Sequence, residues 1–377
     1  MYPIRSLCLI LLASLLSWSA LAQSAPPPAL AAKAWLLIDN GTNQVLAAQD
    51  PDTRIEPASL TKLMTAYLAF SAIKQGVLKQ DQAVPVSEQA WKTDGSKMFI
   101  EPRKPVTVDE LLRGMIVQSG NDACIALAEI IAGSEAKFVE LMNREAQRLG
   151  LKGTQFANAT GLTHPQHYAT VRDLATLTSA LVRDFPEFYP LYSQKEFRYN
   201  NITQPNRNRL LWLDPSVDGV KTGHTEAAGY CLISSSLRGP RRLISVVVGT
   251  ASDNARAQES LKLLNYGFQN FDAVRLYPKG QALSALKVFK GSQRTVKAGF
   301  TQDFVLSLPK GAAERLKVEL VSQQPLIAPL QVGQRVGTLK VSIDGKPLGE
   351  FAVQALDEVP VAGLLGRLWG AILLFFE

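Results

Sequence analysis

Hydrophobic and polar positions along this chain fall into three successive patterns. In the first, apolar runs at helical spacing are interleaved with strand-like runs. Ala34-Trp35-Leu36-Leu37-Ile38 and Gln44-Val45-Leu46-Ala47 flank Asp39-Asn40-Gly41-Thr42, which predicts a hairpin. Residues 60–73 carry a helical pattern opened by Pro57-Ala58-Ser59. Ser59 is thereby predicted at a helix N-terminus, where peptide N–H groups and the dipole favour developing negative charge. Helices are predicted over 108–117 and 123–132, with Ser119-Gly120-Asn121 in the turn between them. Further helices are predicted over 138–149 and 171–185, separated by a loop at 156–165. Strand-like runs at 217–221, 230–235 and 242–249 follow, and a helix over 255–271 closes the region. That order suits an α+β domain in which helices pack on an antiparallel sheet.

From about residue 275 the pattern changes to short strand-like runs around Val288, Val296, Phe304-Val305-Leu306, 316–321, 336–341 and Phe351-Ala352-Val353. Turn signals such as Asp344-Gly345-Lys346 separate them, which predicts a small all-β domain with a spacer or docking role. The third pattern occupies 360–377. At 100° per residue Val361, Leu364, Leu365, Leu368, Trp369, Ile372, Phe375 and Phe376 fill one arc, while Gly363, Gly366, Arg367, Gly370 and Glu377 fill the other. This asymmetry predicts a helix lying in a membrane interface; docking on the protein's own core and spanning the bilayer are the alternatives.

At the other end, Arg5, an apolar stretch over 7–16 and Ala20-Leu21-Ala22 read as a secretory signal. The predicted organisation is therefore a signal peptide at 1–22, a catalytic domain at 23–274, a β-rich domain at 275–357 and an amphipathic anchor helix at 358–377. Localisation follows as periplasmic, on the outer face of the cytoplasmic membrane. Of the three cysteines, only Cys124 and Cys231 lie beyond the signal, too few for a disulfide framework, and both are predicted as buried free thiols. The net charge of +7 is scattered, and no basic run is interleaved with aromatics, which argues against nucleic acid as a partner.

Three short motifs carry the chemistry: Ser59-Leu60-Thr61-Lys62, Ser119-Gly120-Asn121 and Lys221-Thr222-Gly223. Serine is a weak nucleophile until a base takes its proton. On a helix, Ser59 and Lys62 share a face, so the amine reaches the hydroxyl. A free lysine has a pKa of about 10.4, so burial or a second cation, for which Lys221 is the candidate, must lower it. Ser119 offers a hydroxyl for proton relay, and Asn121 an amide donor and acceptor for a peptide group. Lys221 and Thr222 suit a carboxylate, and Gly223 allows a peptide close to the strand. No metal-ligand spacing occurs, His164 and His167 read as polar surface in a loop, and no cofactor is implied.

Together with Pro57-Ala58 before Ser59, Gln118 and Asp122-Ala123-Cys124 around the second motif, Asn206-Arg207-Asn208 with Leu211-Trp212, and Val217-Asp218-Gly219-Val220 leading into Lys221-Thr222-Gly223-His224-Thr225, these motifs give a specific resemblance. The chain resembles the low-molecular-mass penicillin-binding proteins, the D-alanyl-D-alanine carboxypeptidases of the penicillin-binding protein 5/6 type. The resemblance covers essentially the whole mature chain. It implies a β-lactamase/transpeptidase-like fold and removal of the terminal D-alanine from peptidoglycan pentapeptides through a Ser59 acyl-enzyme. It also implies covalent inhibition by β-lactam antibiotics, an oxyanion hole from the backbone N–H groups of Ser59 and His224, and help from Arg207 in holding the terminal carboxylate. The segment 91–99 is shorter than the family leads one to expect. Two alternatives remain: a class A serine β-lactamase, opposed by the lack of any Glu-x-x-Leu-Asn run, and a non-enzymatic penicillin- or wall-binding protein, opposed by intact Ser59, Lys62 and Lys221.

Overall fold

The structure, a computed structural model, describes residues 26–375. The signal segment 1–22 and the last two positions of the apolar tail lie outside the described residues. The chain divides into two compact units, one of Pro27–Ala273 with Val305–Ser307, the other built from Val274–Phe304 and the chain from Leu308 onward.

The first unit is built on a five-stranded antiparallel sheet. Its strands are β1 (Ala34–Asp39), β2 (Gln44–Gln49), β3 (Val217–Thr225), β4 (Gly229–Arg238) and β5 (Arg241–Thr250), in spatial order β2-β1-β5-β4-β3. All of β1 is buried because both faces of the sheet are covered. Side chains alternate across a strand, so Leu36 and Ile38 join one core with Ile233, Ile244 and Val246, while Trp35 and Leu37 join another with Leu232, Leu243 and Val247.

The longer helices are α1 (Lys62–Lys74), α2 (Val108–Arg113), α3 (Asn121–Ala132), α4 (Glu135–Arg148), α5 (Val171–Asp184) and α6 (Asp253–Asn270). Helix α5 lies on one face of the sheet and α6 on the other. Helix α1 is apolar nearly all round and packs against α3, α4 and α5, which is the environment such a helix requires. Two predicted helices differ in detail. The first opens with a tight turn, Ala58–Thr61, before α1. The second ends at Arg113 and continues as a wider turn, Gly114–Gln118, that delivers Ser119 in a left-handed conformation at φ 67°.

In the second unit, six strands form one sheet in the order Leu316–Ser322, Arg335–Ile343, Lys346–Ala355, Thr295–Gly299, Ala282–Phe289 and Leu326–Ile327. Helix α7 (Leu364–Phe375) follows. Its Gly370 sits against the backbone of Lys290, where a Cβ would lie 2.7 Å from the amide nitrogen. Gly370 is thus the position where the helix touches the protein, while Leu364, Leu365, Leu368, Trp369 and Phe375 are exposed, Leu365 by 84%. No helix among the described residues is long and apolar enough to cross a membrane.

Candidate active site

The three motifs meet where the tight turn before α1, the α2–α3 connection and strand β3 come together. Gly223 permits the approach: a Cβ there would lie 3.2–3.3 Å from Leu60, Ala58 and the carbonyl of Pro57. Lys62 Nζ lies 2.9 Å from Ser59 Oγ and donates to the carbonyl of Thr160 at 2.6 Å. Ser59 is half-exposed, while Lys62 is buried. Burial lowers the Lys62 amine to about 8, with the Arg207 cation pushing the same way and the Cys124 and Asp122 side chains opposing. Of the two causes the sequence leaves open, burial or a second cation, burial is the larger.

Lys221 is also buried and donates to Ser119 Oγ and to the carbonyl of Thr222, each at 3.0 Å. Burial, then the cations of Lys62, Arg207 and Arg256, drives its amine well below the usual lysine range. The Lys62 cation adds to the lowering because two ammonium groups this deeply placed oppose each other's charge.

Asn121 accepts no role in capping its own helix; its Nδ2 donates to the carbonyl of Asp94 at 2.6 Å, and its N–H to the carbonyl of Ser96. The neighbouring Asp122 carboxylate, fully buried, receives the N–H groups of Met98, Phe99, Ile100 and Ala123 at 2.8–3.2 Å. The short 91–99 segment is therefore bound directly to the Ser119-Gly120-Asn121 turn. Thr222 is buried beside Lys221, whereas His224 is exposed and its ring lies 4.1 Å from that of Tyr230. Arg207 makes no ion pair among the described residues.

Arg256, on the first turns of α6, was not singled out from sequence. It is buried, donates to the carbonyl of Gly223 at 3.2 Å and pairs with Asp253. Nothing near it in sequence marks it; α6 packs on β4 and β5, and that packing lets the Arg256 side chain reach the Gly223 carbonyl at the end of β3. His167 corrects an expectation. It is buried, not polar surface, because Thr61 Oγ1 bonds its Nε2 at 2.7 Å and the N–H of Ala157 donates to its Nδ1 at 3.1 Å. His164 is exposed. Cys124 and Cys231 are free and buried, as predicted, and burial raises the Cys124 thiol to about 12, which leaves it no thiolate to attack with at neutral pH. Among the described residues no three His, Cys, Asp or Glu side chains are placed to hold a metal ion.

The Thr160 carbonyl reaches Lys62 because Gly161 turns the loop at φ +88°, where a Cβ would lie 1.8 Å from the carbonyl oxygen of Ala58. Gly161→Ala is expected to destabilise the protein by about 3 kcal/mol or more, since clash and left-handed strain add. A urea denaturation midpoint unchanged from the wild type would contradict this.

Comparison with known proteins gives a consistent picture. The family described as D-alanyl-D-alanine carboxypeptidase matches residues 21–252, and that described as the penicillin-binding protein 5 C-terminal domain matches residues 271–361. The D-alanyl-D-alanine carboxypeptidase DacC of Escherichia coli is 40% identical over 94% of this chain and 91% of its own. A crystal structure of penicillin-binding protein 5 from Haemophilus influenzae superposes with a TM-score of 0.84 at 41% identity, covering 89% of this chain and 99% of the other. Penicillin-binding protein D2 from Listeria monocytogenes, solved with ampicillin bound, has a TM-score of 0.60 at 31% identity, over 64% of this chain and 99% of that one.

Proposed function

Because the chain belongs to the family of D-alanyl-D-alanine carboxypeptidases and is a serine-type hydrolase of that kind, we propose that Ser59 is its nucleophile and Lys62 the base that activates it. The observation that carries this assignment is the 2.9 Å approach of the buried Lys62 amine to Ser59 Oγ. In the neutral amine, one N–H donates to Thr160 O and the lone pair is left for the serine proton. Ser59 Oγ then attacks the carbonyl carbon of the D-Ala-D-Ala peptide bond, and the backbone N–H groups of Ser59 and His224 receive the developing oxyanion. As the tetrahedral species collapses, the proton passes to the departing D-alanine amine through the Ser119 hydroxyl, which Lys221 already holds at 3.0 Å. Water completes the turnover by hydrolysing the acyl-enzyme.

The substrate's terminal carboxylate is assigned to Lys221 and Thr222, on a strand whose Gly223 carbonyl accepts from Arg256, together with Arg207 from the preceding segment. An arriving carboxylate is opposite in charge to the Lys221 ammonium and so offsets the burial that disfavours it. Asn121 and Gly223 receive the peptide. The substrate class is the pentapeptide side chain of peptidoglycan, and β-lactams acylate the same serine; the ampicillin complex of the Listeria relative supports that step. A β-lactamase reading would need a carboxylate to activate the deacylating water. The hydrogen-bond partners of Lys62 are instead Ser59 and the Thr160 carbonyl. Mass spectrometry of diacetyl-Lys-D-Ala-D-Ala incubated with purified protein should show loss of one alanine, and an intact peptide would refute the assignment.

The outward apolar arc of α7 is the feature that supports attachment to a membrane surface, with the enzyme on the periplasmic face of the inner membrane. Deleting residues 358–377 is expected to give enzyme that stays in the supernatant after sedimentation with vesicles and keeps its penicillin labelling. A truncated protein that still pellets would remove the anchor.

A further inference from the structure

His167 takes no part in the chemistry above, yet it is the buried imidazole nearest to it. Its Nδ1 accepts from the Ala157 N–H, so that nitrogen carries no proton; Nε2 carries it instead and donates to Thr61 Oγ1 at 2.7 Å. The two partners are informative. Thr61 directly precedes Lys62, and Ala157 opens the segment that ends in Thr160 and Gly161. The same two pieces of chain are joined twice more, by Thr65 Oγ1 donating to Ala159 O at 2.7 Å and by Lys62 Nζ donating to Thr160 O at 2.6 Å. The last of these involves the general base itself, which has to change its protonation during the reaction. The Thr65 and His167 ties do not titrate with it, and of the two only His167 also holds the Thr61 side chain next to the base.

We propose that His167 is a positioning residue that fixes the 157–161 loop on the Ser59–Lys62 turn, holding the Thr160 carbonyl against the Lys62 amine so that its lone pair points at Ser59 Oγ. This rests on Lys62 being the base. Burial, joined by the charges of His164 and Lys62, lowers the imidazole to about 4, so it stays neutral and keeps this tautomer throughout the range in which Lys62 titrates.

The test compares acylation by a fluorescent penicillin, over a pH series on both sides of the Lys62 amine, in wild type, His167→Gln, His167→Phe and Thr61→Val. A glutamine can accept from Ala157 and donate to Thr61; phenylalanine fills the space and does neither. His167→Phe is expected to slow acylation by about 10- to 100-fold, the scale of an ångström-sized misplacement. Its acid limb should move upward as water reaches the loosened Lys62. His167→Gln should stay within about threefold of wild type with its limb unmoved, since both hydrogen bonds are kept. Thr61→Val, which leaves the imidazole in place, should move the limb in the same direction and covers the case in which His167→Phe does not fold.

Wild-type kinetics in folded His167→Phe would overturn the proposal. So would a slowed variant whose limb has not moved, or a glutamine variant as slow as the phenylalanine one. Full acylation by Lys62→Arg would instead overturn the reading of Lys62 as base, and is distinguishable from every outcome at His167.

Discussion

Ser59→Ala is expected to abolish covalent labelling by a fluorescent penicillin and to lower release of D-alanine on the order of 10⁴-fold or more, because removing a nucleophile removes the acyl-enzyme itself. The change deletes one half-exposed oxygen in the tight turn before α1 and leaves the buried packing of Leu60, Leu63 and Met64 in place. The variant should therefore fold, and its thermal melting should stay close to wild type. That separates loss of chemistry from loss of structure. A folded Ser59→Ala protein that still carries the label after denaturing electrophoresis would place the nucleophile elsewhere; Cys124 is not a ready substitute, with its thiol raised to about 12.

Lys62→Arg should have the second largest effect, for a different reason. The guanidinium keeps a positive charge and much of the length, but it stays protonated at every working pH and cannot take the serine proton. Acylation should fall by about 10²- to 10⁴-fold, the range assigned to a positioned general base. The sign of the pH dependence follows from the amine lying near 8: the neutral, active form grows as pH rises through that value and is lost below it. Wild-type acylation should thus drop about tenfold per unit on the acid side, while Lys62→Arg should show no such limb. Stopped-flow acylation over a pH series makes the comparison. An arginine variant with an unaltered limb would assign that limb to some other group.

Much of the site can be read from sequence because its chemistry is local. Ser59 and Lys62 are one helical turn apart, Ser119 and Asn121 share one turn, and Lys221 to Gly223 are consecutive on a strand. Local backbone geometry alone juxtaposes the members of each group. The α+β class and the β-rich second part were also legible, because periodicities of 3.6 and 2 reflect which faces are covered. Arg256 and His167 were not. Arg256 reaches the site only because α6 packs on β4 and β5 with that side chain directed at the Gly223 carbonyl, and an arginine on a helix ordinarily reads as solvated. His167 lies in a polar loop whose composition predicts surface, and it is buried because the Thr61 hydroxyl and the Ala157 amide satisfy both of its ring nitrogens. Hydrophobic spacing does not distinguish one helical pitch from a slightly looser one, so the wide turn at Gly114–Gln118 is indistinguishable from plain helix in the sequence.

Sequence by itself determined which groups are chemically able to act: a hydroxyl with an amine one turn away, a second hydroxyl beside an amide, a cation on a glycine-bearing strand, and an apolar arc on the last helix. Tertiary structure alone decided how those groups behave. It buries Lys62 and lowers its amine, sets Lys221 on Ser119, lays the 94–98 segment over Asn121 and ties the Thr160 carbonyl to the base. The physical reason is that reactivity depends on desolvation and on distances between residues far apart in the chain, and both are created only when the chain closes on itself.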